Sequence, residues 1–205
     1  MAAMAAEIKK GRKFDQVLDG ARTVFMRDGF EGASVDDIAR AAGVSKATLY
    51  SYFPDKRLLF SEVARVECER QASEAVAVIS QTGSVKDALC QAAHAMVGFF
   101  LSDFGQQVYR ICVAESYRFP ELGRRFYESG PAMGRERLKQ VMTPFIEAGA
   151  LKIDDMNLAA NQFAELCKSD LFTRQLCGVS REASPQEIEH VVNGAVEMFL
   201  ARYGT

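Results

Sequence analysis

A chain of 205 residues, 48% hydrophobic and 25% charged, has enough apolar material for a real core and room for one large domain or a small module joined to a larger one. Its net charge of −2 excludes a chain that coats nucleic acid by charge alone, although the first 60 residues carry ten Lys/Arg against eight Asp/Glu and the remainder fifteen against nineteen. Any polyanion-binding surface is therefore expected early in the chain.

Met1–Ala6 is an apolar cap placed before Lys9, Lys10, Arg12 and Lys13, the reverse of secretory-signal order. The basic stretch reads either as a solvated terminus or as an arm that adds phosphate or minor-groove contacts. Phe14, Val17, Leu18, Ala21 and Phe25 then follow at helical spacing, and the helix is expected to end at Asp28-Gly29, with Phe30 packing back. Ser34 opens a second helix over Ile38 and Ala39, its acidic partner three residues on, and Gly43 interrupts it. Ser45 caps a third helix, Ser45–Phe53, which Pro54 stops. A fourth is expected from Asp55 to about Ser80, apolar on two sides, before the turn at Gln81–Ser84.

Helices or helix pairs are predicted over Val85–Leu101, Gln106–Arg118, Pro120–Ala148 and Asn157–Cys177. Gly105, Phe119-Pro120, Gly130-Pro131 and Gly149–Asp155 punctuate them. The last helix opens at Ser184-Pro185 and carries Ile188, Val191, Val192, Ala195 and Phe199 on one face. No alternating β-branched run suggests a strand, so the fold class is all-α. The longest uncharged run, Ala88–Ser102, is 15 residues, short of the roughly 20 that span a bilayer, and the protein is expected in the cytoplasm without a membrane partner.

Five cysteines without a CxxC pair, and two histidines, do not have metal-site spacing. They read as reduced, mostly buried thiols, with redox sensing by one of them as the alternative. No Ser/His/Asp or Cys/His arrangement, phosphate-cradling loop or carboxylate pair stands in a recognisable motif, so neither an enzyme nor a bound cofactor or metal is expected.

Residues 34–53 have the helix–turn–helix layout, whose second helix enters the DNA major groove. A short αα corner with a glycine turn is common in helical proteins; the surface chemistry of the second helix adds the signal. Ser45, Lys46, Thr48, Tyr50, Ser51 and Tyr52 surround the apolar anchors Ala47, Leu49 and Phe53. Hydroxyls and lysine donate to phosphates and base edges, and a small residue such as Ala47 permits close approach.

The run Val35–Ser45 followed by Leu49–Phe60, with Phe25…Gly29-Phe30 upstream, resembles the signature of TetR/AcrR transcriptional regulators over about residues 11–60. The resemblance implies a three-helix DNA-binding domain, a long fourth helix, and a larger helical domain that dimerises and usually binds a small effector. It divides the chain into residues 1–54, an arm and the DNA-binding domain; 55–84, the connecting helix and turn; and 85–205, the effector-binding and dimerisation domain. It implies DNA contacts for Ser34, Ser45, Lys46, Ala47, Thr48, Tyr50, Tyr52 and Lys56. Ser51 departs from the bulkier residues common at its position.

Ala114–Leu122 with Phe126-Tyr127 and Gly130-Pro131 resembles the AefR-like C-terminal subgroup. Phe100, Phe104, Tyr109, Cys112, Glu115, Tyr117 and Phe126 are candidate effector residues for a small hydrophobic or aromatic molecule, with plain core packing as the alternative for each. Phe163, Leu166, Phe172, Ile188, Val192 and Phe199 are expected at a homodimer interface, because the apolar surface of their helices exceeds one core face. The function expected is a ligand-released repressor bound as a dimer to a palindromic double-stranded operator. The alternative is an activator, or a helical small-molecule-binding protein without repressor activity.

Overall fold

A computed structural model describes residues 11–79 and 83–205, apart from the Arg12 side chain; Lys9 and Lys10 of the basic stretch lie outside the described residues. Among them are eleven α-helices and one π turn. The helices are α1 (Arg12–Gly32), α2 (Val35–Ala41), α3 (Lys46–Tyr52), α4 (Lys56–Ile79), α5 (Val85–Leu101), α6 (Asp103–Glu115), α7 (Pro120–Tyr127), α8 (Met133–Glu147), α9 (Met156–Leu166), α10 (Leu171–Leu176) and α11 (Pro185–Tyr203). The only extended pairing among the described residues is an isolated bridge between Leu151 and Gly204, which clasps the end of α11.

Local capping sets most helix starts. Ser34, Ser45, Ser84, Ser102 and Ser184 each accept a hydrogen bond from the backbone N–H three residues on, satisfying a donor that the first helical turn leaves unpaired. At Ser184 the arrangement is reciprocal, with Glu187 accepting from the serine backbone.

Several boundaries differ from the sequence reading. Gly29 does take a positive φ (69°), but one more helical turn follows to Gly32 before the chain leaves α1. Gly105 lies inside α6 instead of before it, because Ser102 caps that helix three residues upstream. Gly130-Pro131 does not break the chain: residues Glu128–Ala132 widen into a π turn that absorbs Pro131 and runs into α8. The Asn157–Cys177 segment is a pair, α9 and α10, parted at Asp170, which sits at φ 56°.

Two cores form. One joins α1 (Phe14, Val17, Phe25), α2 (Ile38), α3 (Leu49, Phe53) and the start of α4 (Leu59, Phe60), and it continues into α6 and α7 through Val108, Cys112 and Leu122. This core thus runs past residue 54 and borrows side chains from the later helices. The second core packs α5, α8, α9 and α11 through Leu89, Val97, Met142, Phe163, Val192 and Phe199. Where α1 crosses α2, Gly20 lets the backbones meet: a Cβ there would lie 2.5 Å from the Ala42 nitrogen.

A buried carboxylate fastens α1 to α4. Glu67 accepts from Arg22 Nε of α1 at 2.8 Å and from Arg70 and Gln71 on its own helix. Its side chain is 3% exposed whereas both arginines remain nearly half exposed, so the anion is buried and its countercharges stay hydrated. The Arg70 hydrogen bond, with those from Gln71 and Arg22, outweighs desolvation and holds the Glu67 carboxyl down at about 2.

Candidate nucleic-acid interface

Leu49 and Phe53 are fully buried on the core side of α3, which turns the opposite face outward. Ser45, Lys46, Ala47, Tyr50 and Ser51 are exposed there, Thr48 and Tyr52 partly so. The turn from α2 is made possible by Gly43 at φ 63°, with Val44 N–H donating to the Ala39 carbonyl.

Each residue expected to touch DNA has a defined local role. Ser34 Oγ accepts from Asp37 N and donates to Asp37 Oδ2, so its hydroxyl is used in capping α2. Ser45 Oγ accepts from Thr48 N at 3.1 Å and lies 2.9 Å from the Thr48 hydroxyl, fixing both at the head of α3. Lys46 is paired with Asp36 of α2 at the surface. Ser51 donates to the Thr48 carbonyl. Tyr50 projects freely, 48% exposed, while Tyr52 lies edge-on to Phe14 and keeps one side in solvent.

Lys56 stands apart from this group. Its Nζ donates to the Phe30 and Ala33 carbonyls at 2.8 and 3.1 Å and sits 4.4 Å from the Phe30 ring centroid. Two of its three donors thus close the α1–α2 corner, which leaves one for a phosphate.

The first three helices and the start of α4 are tied to α6 by polar contacts that the sequence does not advertise. Gln107 Oε1 accepts from Phe30 N at 3.0 Å. Arg57 pairs with Asp55 and with Glu115 of α6, both at 2.7 Å, and lies over the Phe119 ring. The Arg57 hydrogen bond is the main cause that lowers the Asp55 pKa. An open groove of about 690 Å³ runs between the two bodies, with Tyr50, Lys56, Arg57, Arg110 and Glu115 among its walls.

Of the candidate effector residues, the structure brings Phe100, Tyr109 and Phe126 into one ring cluster. Phe172 completes it, meeting Phe100 at 6.0 Å and Tyr109 at 5.0 Å, both edge-on, while Tyr109 meets Phe126 at 6.0 Å. The others stand elsewhere. Phe104 packs against Phe60 and Cys112 is buried in the N-terminal core. Glu115 is engaged by Arg57, and Tyr117 is 98% exposed, because the chain unwinds past the end of α6 and turns it outward. Neither Tyr117 nor Glu115 lines the ring cluster; Glu115 stands in the wall of the groove instead. Gln106 does border the cluster, and no periodicity marked that residue.

The residues expected at an interface between copies lie at different depths. Phe163, Val192 and Phe199 are fully buried within the chain, Leu166 and Ile188 pack on the same core, and Phe172 belongs to the ring cluster. Their helices present other apolar side chains outward, Leu158 and Met198 being 51% and 63% exposed. The apolar surplus was real, but α5 and α8 consume most of it.

All five cysteines are free thiols, of which Cys177 is exposed. Burial pushes Cys68, Cys112 and Cys167 up to about 12. Among the described residues no group of three acidic, His or Cys side chains could hold a metal, and no helix is long and apolar enough to cross a membrane.

Residues 17–63 match the family model for bacterial regulatory proteins of the tetR family, and residues 87–205 that for the C-terminal domain of AefR-like transcriptional repressors. With the HTH-type transcriptional repressor AcnR of Corynebacterium glutamicum the chain shares 34% identity over 84 residues, 41% of this chain and 43% of that protein. The chain thus matches less than half the length of such curated relatives. A solved structure of a TetR-family transcriptional regulator from Mesorhizobium loti superposes with a TM-score of 0.82 at 26% identity, covering 97% of this chain and all of that one. The flavonoid-responsive regulator FrrA superposes at 0.66 with 36% identity over 95% of this chain and 98% of its own. The reading head, the ring-lined helical region behind it and these likenesses agree: the chain belongs to the TetR family of bacterial regulatory proteins and carries an AefR-like C-terminal domain.

Proposed function

We propose that this protein is a DNA-binding transcriptional regulator, a repressor that sits as a homodimer on a palindromic operator in the cytoplasm and is released by a small aromatic effector. The observation that carries the reading is α3: two fully buried anchors, Leu49 and Phe53, fix a short helix whose outer face is Ser45, Lys46, Ala47, Thr48, Tyr50 and Ser51. That face supplies hydroxyl and ammonium donors around a small residue, which suits entry into a major groove.

Positioning contacts to phosphate fall to Tyr52, to Ser34 at the rim and to the free donor of Lys56, where the α4 N-terminus also favours an anion. Lys46 and Thr48 fall to base edges, with Lys46 leaving Asp36 as it does so. Residues 1–54 serve as reading head, 55–84 as connector and 85–205 as the sensing and pairing region. The cluster of Phe100, Tyr109, Phe126 and Phe172 is the effector site, a reading supported by the flavonoid responsiveness in the name of a relative 36% identical over nearly the whole chain. Repression as the sign of regulation is supported by AcnR.

The test is fluorescence anisotropy of the purified protein on labelled DNA from upstream of its own gene and its neighbours. The expected result is saturable binding to one fragment that survives excess nonspecific DNA, weakened at least tenfold by Tyr50→Ala. Equal affinity for all fragments at moderate salt would remove the regulator reading.

A further inference from the structure

We infer that Gln106 selects the effector by its hydroxyl groups, so that the ligand is an aromatic molecule bearing at least one hydroxyl donor. The inference deepens the effector-site reading above and rests on it.

Gln106 lies on α6, one helical turn before Tyr109 and on the same face. It is 4% exposed. Its Nε2 donates to the Phe100 carbonyl at 2.7 Å, which fixes the amide orientation. Oε1, on the same carbon, is buried and has no hydrogen-bond partner. That oxygen is therefore held at the Phe100 backbone, a turn of α6 before Tyr109, and the rings of these two residues both meet Phe172. Rings of Phe100, Tyr109 and Phe126 remain partly accessible while Phe172 backs them, so a flat molecule has apolar faces to lie against. A second acceptor stands at the next carbonyl of the same corner. Gln175 Nε2 donates to Leu101 O at 2.9 Å, and its buried Oε1 also lacks a partner.

The chemistry of the site follows from what an amide oxygen does. It accepts and cannot donate, so only a ligand with an O–H or N–H satisfies it; an ether or ketone leaves two acceptors facing each other. A carboxylate placed at that oxygen would set an anion against an acceptor with no proton between them. A phenol meets both demands, rings against rings and hydroxyl to Oε1. A site built around a buried hydrogen-bonding group rejects an analogue lacking the matching group more strongly than an apolar pocket does.

The test is isothermal titration calorimetry of the full chain with a trihydroxyflavone, with unsubstituted flavone, and with the fully O-methylated counterpart. Wild type is expected to bind the trihydroxyflavone about 10- to 100-fold more tightly than either hydroxyl-free compound. Gln106→Met keeps the shape and removes the acceptor; it is expected to bring that ratio to within about threefold. A purely structural loss would weaken all three ligands together and leave the ratio unchanged, which overturns the inference. So does equal binding of the three ligands by wild type, as expected if a water satisfies Oε1, or no binding of any of them. The effector-site reading fails on a different result: no aromatic compound of a broader panel, hydroxylated or not, alters operator binding in the anisotropy assay.

Discussion

Lowering the pH should loosen the joint between α1 and α4 in a way that one substitution isolates. Glu67 is the buried carboxylate of that joint, with its pKa at about 2 against an ordinary 4.5. A carboxyl depressed on folding contributes stability that is complete above its unfolded pKa and disappears as pH falls toward the folded value. The window here is therefore pH 4.5 down to 2. The shift corresponds to at most about 3 kcal/mol at neutral pH, of which about 2 kcal/mol is gone by pH 3. Glu67→Gln keeps the size and loses the charge, so it is expected to cost about 1–3 kcal/mol at pH 7, offset in part by the desolvation it avoids. Urea unfolding followed by circular dichroism, at one protein concentration because the native state is a dimer in the proposed reading, gives both stabilities at each pH. The gap between wild type and variant should shrink steadily from pH 5 to pH 3. A gap that stays constant over that range refutes the argument, since the carboxylate would then carry no pH-dependent share of the joint.

Three further outcomes follow from particular residues. Lys46→Ala, at a side chain 54% exposed, should leave the melting temperature unchanged and narrow the preference for the operator over unrelated DNA by about 5- to 100-fold; an unchanged preference, with all sequences weakened alike, would refute its assignment to a base edge. Gly20→Ala should cost about 1–3 kcal/mol, because its new Cβ would press on the Ala42 backbone and push α1 off α2. Leu158→Glu combined with Met198→Glu should shift sedimentation toward monomer with little loss of helix stability, whereas Phe199→Ala should cost about 3–5 kcal/mol by opening the core.

Much of this architecture is readable from sequence because its determinants are local. A serine that accepts from a backbone N–H three residues away declares itself in the chain, as Ser34, Ser45 and Ser184 do. The outward chemistry of α3 was legible for the same reason: Leu49 and Phe53 point one way, so their neighbours point the other. The break at Asp170 was hidden, since a positive φ there falls on a residue that sequence reading does not reserve for it. Gly130-Pro131 suggested a stop, but an extra residue in one turn accommodates the proline. An apolar stripe states only that something covers it, a second copy or the chain itself. Phe163 and Val192 are covered by the chain itself. Gln106, Gln107 and Arg57 were missed because a polar residue on an amphipathic helix looks solvent-facing until the packing of distant segments is known.

The two adjacent glutamines of α6 divide their labour. Gln106 reaches back to the corner beside the ring cluster, while Gln107, the next residue along, holds the backbone of Phe30 at the reading head. The two side chains leave one helix about 100° apart around its axis. In the proposed reading, this separates what is sensed from what is moved. A duplicated copy that altered only residue 106 would then keep its operator and its linkage while answering to a new molecule, so sensory range could diversify without the wiring being rebuilt.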